Sequence, residues 1–195
     1  MPLQLRRKTQ GSIAYVTYIF SVAFILCFLF SGCAGTPVQK NTFSMKDVEG
    51  LGVIDAIDKI ALTDPNYNDP REKEIRAILS KIDDPQSLFE YLVQFDQKIR
   101  SVTCDGKCPP YERYERAITI TMERLSEIKT DDAAKYLVLI LEKKILSGHA
   151  HLSEELLHFI AETGHLALPY LKRIEKDNDM AKMAIDCIEK QQPCH

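Results

Sequence analysis

Three histidines that lie close together late in the chain have the residue types and spacing for chemistry: His149, His151 and His158. A His-x-His pair on an extended segment can bind zinc from one side, and the following helix can supply a third ligand. Glu154 and Glu155 could add carboxylate oxygens. Polar histidines are also ordinary at a connection between two helices, so these residues are weak metal candidates and no cofactor is expected.

Four cysteines form a second group with potential chemistry, namely Cys104, Cys108, Cys187 and Cys194. Four cysteines allow three pairings, and short separation along the chain favours Cys104–Cys108 and Cys187–Cys194. Neither pair has the two-residue gap of the usual thiol redox motif or of a zinc knuckle. We therefore expect structural disulfides, with a metal-binding or thiol-redox protein as the alternative.

The rest of the sequence contains no recognisable catalytic constellation. It has no glycine-rich phosphate loop, no HExxH and no nucleophile elbow. Tyr111 and Tyr114, near Arg113 and Arg116, could make a binding stripe, but aromatic residues at that spacing are more often part of a core or an interface edge. We expect a protein that is not an enzyme, although a site assembled from scattered residues stays a second alternative.

The N-terminus has the pattern of an export signal. Arg6, Arg7 and Lys8 precede a segment, from Thr9 to Gln39, that has no charged side chain. Positive charge before an apolar run is retained on the cytoplasmic side, so the following chain is exported. Removing residues 1–32 leaves 22 basic against 28 acidic residues, a formal charge of −6. Such a surface argues against nucleic acid as a partner.

The apolar run ends in Leu29-Phe30-Ser31-Gly32-Cys33, which resembles the lipobox of bacterial lipoproteins. Phe30 stands where that family prefers an aliphatic residue. The resemblance implies cleavage before Cys33 and lipidation of its thiol. It divides the chain into a signal peptide (1–32), a flexible tether (33–44) and a body (45–195). Ala34 is not the aspartate that retains enterobacterial lipoproteins in the inner membrane, so an outer-membrane location is favoured where the organism has one.

Two other interpretations of the leader stay open. The run is about long enough to span a bilayer as an uncleaved signal anchor, and Arg6-Arg7 is one element of a twin-arginine signal. Under all three interpretations, residues after about 40 face away from the cytoplasm, towards the periplasm or the cell exterior.

The body has the apolar spacing of successive α-helices. Asp69-Pro70 and Asp84-Pro85 each place an N-cap acceptor before a proline at the first helical position. Thr130 is expected to cap an apolar helix from Ala133 to Leu146 that stops at Gly148. Ser153 is expected to open another helix, which ends at Gly164.

The last segment contains Ala167-Leu168-Pro169-Tyr170-Leu171, then a turn with Asp177, then an alanine-rich helix. It resembles a HEAT repeat, and the pair 111–128 and 130–146 is similar in size and order. The resemblance covers at best residues 111–190. It implies an all-α body, either a short HEAT-like α-solenoid or an irregular helical bundle. A solenoid would present a face for a protein partner, so we expect an envelope scaffold or adaptor.

Overall fold

The body folds into α-helices, as its apolar spacing predicts. The computed structural model describes residues 44–63, 71–103, 109–192 and 194. These residues contain eight α-helices and no β-strand, which confirms the all-α class. Two short 3₁₀ turns occur at Met45–Val48 and Gly164–Leu166. The helices in chain order are α1 (Val53–Thr63), α2 (Glu72–Leu79), α3 (Pro85–Ser101), α4 (Pro109–Ile128), α5 (Asp131–Glu142), α6 (Ala150–Thr163), α7 (Leu168–Ile174) and α8 (Asp179–Lys190).

Several predicted features lie outside the described residues. They are the signal peptide (1–32), Cys33 with the tether up to residue 43, Asp69-Pro70, and the pair Cys104 and Cys108. Within the described ranges, no helix is both long and apolar enough to cross a membrane.

Local capping explains where the helices begin. The Asp84 carboxylate accepts a hydrogen bond from the Ser87 backbone N–H at 2.9 Å, with Pro85 at the first position of α3. The Thr130 hydroxyl accepts from the Ala133 N–H at 3.3 Å. Both predicted starts are confirmed, because each side chain satisfies an N–H that has no partner within its own helix.

The connection between α5 and α6 differs from the prediction. Helix α5 ends at Glu142 rather than Leu146, and the left-handed residue just after its end is Lys144, with φ of 52°. Gly148 also has a positive φ, of 103°, but lies further along the turn. Helix α6 begins at Ala150 rather than Ser153. The Ser153 N–H already bonds the His149 carbonyl at 3.1 Å, so Ser153 lies inside the first turn instead of capping it. The predicted end of α6 at Gly164 is confirmed.

Helix α4 lies at the centre of the packing. It contacts α1, α2, α3, α5 and α6. Its inward side chains are almost completely buried, including Ala117, Ile118, Met122 and Leu125. Burial of such side chains is the main source of stability in a helical domain, since each buried isoleucine, leucine or methionine is worth about 1.5–3 kcal/mol.

A disulfide joins the C-terminal tail to the last helix. Cys187 of α8 is bonded to Cys194, seven residues along the chain. Cys194 also packs against the hydrophobic core. This bond is consistent with the predicted Cys187–Cys194 pairing.

Replacing both Cys187 and Cys194 with serine should lower the free energy of unfolding by about 2.5 kcal/mol, because the unfolded chain gains the entropy of an open loop. Denaturant unfolding of the oxidised proteins, followed by circular dichroism, measures the difference. A double variant as stable as the wild type would show that the bond adds nothing to the fold.

Candidate functional site

The structure separates the three histidines that the sequence grouped. His149 is mostly buried at the start of α6, with its Nδ1 3.1 Å from the Tyr111 hydroxyl. His151 is exposed and pairs with Glu115 at 3.1 Å. His158 pairs with Glu162, one turn further along α6, at 3.3 Å.

The two glutamates suggested as additional ligands do not complete a metal site either. Glu154 is exposed, while Glu155 accepts a hydrogen bond from the Thr119 hydroxyl at 2.6 Å. Among the described residues, no three His, Cys, Asp or Glu side chains are placed to hold a metal ion. The predicted candidates His149, His151 and His158 therefore do not converge on one point.

His149 instead belongs to an interhelical polar cluster, defined here as Asp96, Arg100, Tyr111 and His149. Asp96 of α3 is 6% exposed, and its Oδ2 accepts from the Arg100 Nε at 2.7 Å. The other oxygen, Oδ1, has no hydrogen-bond partner and lies 4.0 Å from the His149 Nε2. The His149 ring thus lies between the Tyr111 hydroxyl and the Asp96 carboxylate.

This interhelical polar cluster connects three parts of the fold. Arg100 Nη2 donates to the Ile145 carbonyl at 2.6 Å and to the Ser147 carbonyl at 3.1 Å. The hydrogen bond to Asp96 raises the pKa of Arg100. The end of α3 therefore holds the turn between α5 and α6. A charged donor suits these carbonyls because they follow the C-terminus of α5.

The cluster also joins side chains from different helices. The His149 Nδ1 shares a hydrogen bond with the Tyr111 hydroxyl of α4, and its Nε2 faces Asp96 Oδ1 of α3. Burial, followed by the Glu115 carboxylate, raises the pKa of Tyr111, so this phenol stays neutral. The arrangement therefore connects α3, α4 and the start of α6 through polar side chains.

A second polar group attaches α1 to the centre of the fold. Asp58 pairs with Lys98 of α3 at 2.5 Å and accepts from the Tyr114 hydroxyl of α4 at 2.8 Å. Arg113, which is 1% exposed, donates from Nη1 to the carbonyls of Ile60 and Ala61 at 2.8 and 3.1 Å.

The predicted alternative for this part of α4 was a binding stripe. Tyr114 and Arg113 are buried, while Tyr111 and Arg116 are partly exposed. Tyr114 and Arg113 therefore belong to the core rather than to a binding stripe. Sequence reasoning missed Asp96 altogether. Its i,i+4 spacing to Arg100 on α3 could have predicted that ion pair, but nothing in the sequence indicated its approach to His149.

Tyr114 should make the protein sensitive to alkaline pH. Burial, followed by the Asp58 carboxylate, raises the pKa of Tyr114 above its ordinary value. An unfolded tyrosine loses its proton near pH 10, whereas the folded one keeps it. The stabilisation is therefore complete below about pH 10 and is lost as the pH rises towards the folded pKa.

We expect Tyr114→Phe to cost about 1 kcal/mol at pH 7, because Asp58 loses a hydrogen bond. The variant should also lose less stability than the wild type between pH 9 and 11, values that bracket the ordinary tyrosine pKa of about 10. Denaturant unfolding across that range measures both effects. Parallel pH dependence in the two proteins would refute the assignment, since the other tyrosines titrate equally in both.

The described surface includes two clefts that are relevant to binding. The first, of about 440 Å³, is formed by the 3₁₀ turn at 45–48, the start of α1 and the end of α2, and we name it the N-terminal cleft. The second, of about 280 Å³, lies between the α5–α6 turn and the start of α8, where Leu146 and Met180 meet Asp177 and Asp179. The first volume lies within the range of about 300–1,000 Å³ that is typical of ligand pockets, and the second lies just below it.

No protein-family model, curated protein or solved structure matches the chain.

Proposed function

We propose that this chain is a lipid-anchored, non-enzymatic scaffold or adaptor of the bacterial cell envelope, held to the membrane through Cys33 and binding another envelope protein. The leader supports export, and the lipobox-like residues before Cys33 support the anchor. Several acyl chains on one residue give stable attachment.

The single observation that best supports a scaffold is the order in which the helices pack. Each helix from α3 to α6 contacts the helix two positions further along the chain: α3 contacts α5, α5 contacts α7, α4 contacts α6, and α6 contacts α8. Neighbours in sequence also pack, as in α3 with α4 and α7 with α8. Stacked helical hairpins have this pattern, in which each repeat contacts only its neighbours.

This packing favours a short α-solenoid over an irregular bundle. If α7 and α8 form one repeat, the preceding repeats are α5–α6 and α3–α4. The pair 111–128 and 130–146 then combines halves of two repeats. Helices α1 and α2 both pack on α4 and would cover the N-terminal end of the stack, as terminal caps do in repeat proteins.

The polar side chains inside the body support an interaction protein rather than an enzyme. Asp58 and Arg113 hold α1 against α3 and α4, and Arg100 holds the α5–α6 turn. These groups are used to connect helices. Function in such a body would come from its outer surfaces, as in other stacked repeats.

Crosslinking in cells tests this proposal. We expect cells that express the full chain to yield one discrete crosslinked product with another envelope protein. We expect Cys33→Ala to weaken it, because a chain that keeps its leader and lacks the lipid is not delivered to the membrane that holds the partner. Cys27→Ala, which changes the other cysteine of the leader, is the matched control. A chain that never crosslinks to a second protein would contradict the proposal.

A further inference from the structure

The N-terminal cleft has a largely apolar lining, and it includes the described residues that are closest in sequence to the expected anchor. Its apolar lining consists of Met45, Val48, Leu51, Val53, Ala56, Ile78 and Ile82. Two of these residues are exposed to solvent: 39% of the surface of Met45 and 44% of that of Leu51 is accessible. Large exposed apolar side chains that lie together are typical of a surface that binds something.

The charge around this cleft differs from that of the whole body. Lys46 and Lys81 line it together with a single acidic residue, Glu49. Without residues 1–32 the chain has a formal charge of −6, so an anionic surface would repel it as a whole. The lining itself has one more positive than negative group. Apolar side chains with nearby lysines suit the interface of a lipid bilayer.

Chain length limits how far the cleft can move from the membrane. Ser44, which begins the 3₁₀ turn, lies eleven residues after Cys33. Eleven residues span at most about 40 Å even when fully extended. A lipid on Cys33 would hold the cleft near the bilayer at an effective concentration in the millimolar range, so weak contacts would be enough.

We infer that the N-terminal cleft docks onto the lipid surface in which the chain is anchored, with Met45 and Leu51 entering the headgroup region and Lys46 and Lys81 facing the phosphates. This inference rests on the proposed lipid anchor. It adds an orientation, in which α1 and α2 face the membrane and the later helices are directed towards a partner.

The absence of tryptophan from the chain allows a clean test. Leu51→Trp in the full, lipidated protein introduces a unique fluorescent reporter at the cleft. Met183→Trp is the matched control, because Met183 is 45% exposed and lies on α8, whose packing partners are α6 and α7. Both proteins are reconstituted into vesicles of phosphatidylcholine, with or without an equal amount of phosphatidylglycerol, and brominated lipid is added as quencher.

We expect brominated lipid to quench the Leu51→Trp reporter strongly and the Met183→Trp reporter hardly at all. Equal quenching of both would overturn the inference. So would a Leu51→Trp emission that is blue-shifted but unquenched, because the cleft would then be covered by a second copy or another protein. A chain that does not float with the vesicles would overturn the anchor itself, which separates failure of the proposed function from failure of the docking.

The lysines provide a second measurement on the same reporter. Lys46→Gln with Lys81→Gln should weaken docking by about fivefold per lysine on the vesicles with phosphatidylglycerol, and should have little effect on phosphatidylcholine alone. Lys143→Gln with Lys176→Gln is the matched control, since both are exposed lysines distant in sequence from the cleft. Equal weakening by the two pairs would contradict contact at the cleft.

Discussion

Replacing Arg113 with methionine should lower the free energy of unfolding by about 3 kcal/mol. Methionine keeps much of the volume but leaves the carbonyls of Ile60 and Ala61 without the donors that now lie at 2.8 and 3.1 Å. Hydrogen bonds to a charged group are worth about 1.5–3 kcal/mol, and a cation at the C-terminal end of α1 is also favoured by the helix dipole. Denaturant unfolding at neutral pH measures the change.

Arg116→Met is the matched control for this effect. Arg116 lies on the same helix, but its side chain is 40% exposed and its Nε is 3.6 Å from Glu72. An exposed pair of this kind contributes at most about 1 kcal/mol. If Arg113→Met lowered the free energy of unfolding no more than Arg116→Met, the hydrogen bonds from Arg113 would not be what holds α1 against α4.

Replacing Cys33 with alanine should abolish lipid attachment completely. If Cys33 accepts the lipid, the variant takes up no labelled palmitate and keeps its leader, so it remains longer by the 32 residues that precede Cys33. Metabolic labelling followed by electrophoresis measures both properties at once. The effect is all or none because no other residue offers the same position after the apolar run.

Cys27→Ala controls for loss of a cysteine within the leader, since Cys27 lies inside the apolar run. We expect it to be labelled and processed like the wild type. Palmitate that remains on the Cys33→Ala protein would contradict the proposed anchor, as would a variant whose length equals that of the wild type.

Local signals in the sequence predicted much of the fold. Asp84-Pro85 and Thr130 were identified as helix starts, and Gly164 as a helix end, because a cap depends on residues within one turn. The Cys187–Cys194 pairing followed from short separation for the same reason. The predicted end of α5 was wrong by four residues. The reason is that the turn after this helix is held by Arg100, which is 45 residues away from Ile145 along the chain.

The contacts between polar side chains of different helices could not be predicted in the same way. Tyr111 and His149 are 38 residues apart, and Arg113 and Ile60 are 53 apart, so their contacts depend on how the helices stack. Arg113 did give one signal, because it precedes Ala117 by four residues on the buried face of α4. The histidines were grouped by sequence spacing alone, and the helical geometry of α6 separates His151 from His158.

The intact mass of the protein extracted from membranes tests the central claim most directly, when it is measured with and without reduction and alkylation. The account predicts a chain that starts at Cys33 with added lipid mass. It also predicts that Cys104, Cys108, Cys187 and Cys194 take up the alkylating agent only after reduction. An uncleaved chain whose cysteines react freely would contradict both the lipid anchor and the disulfides.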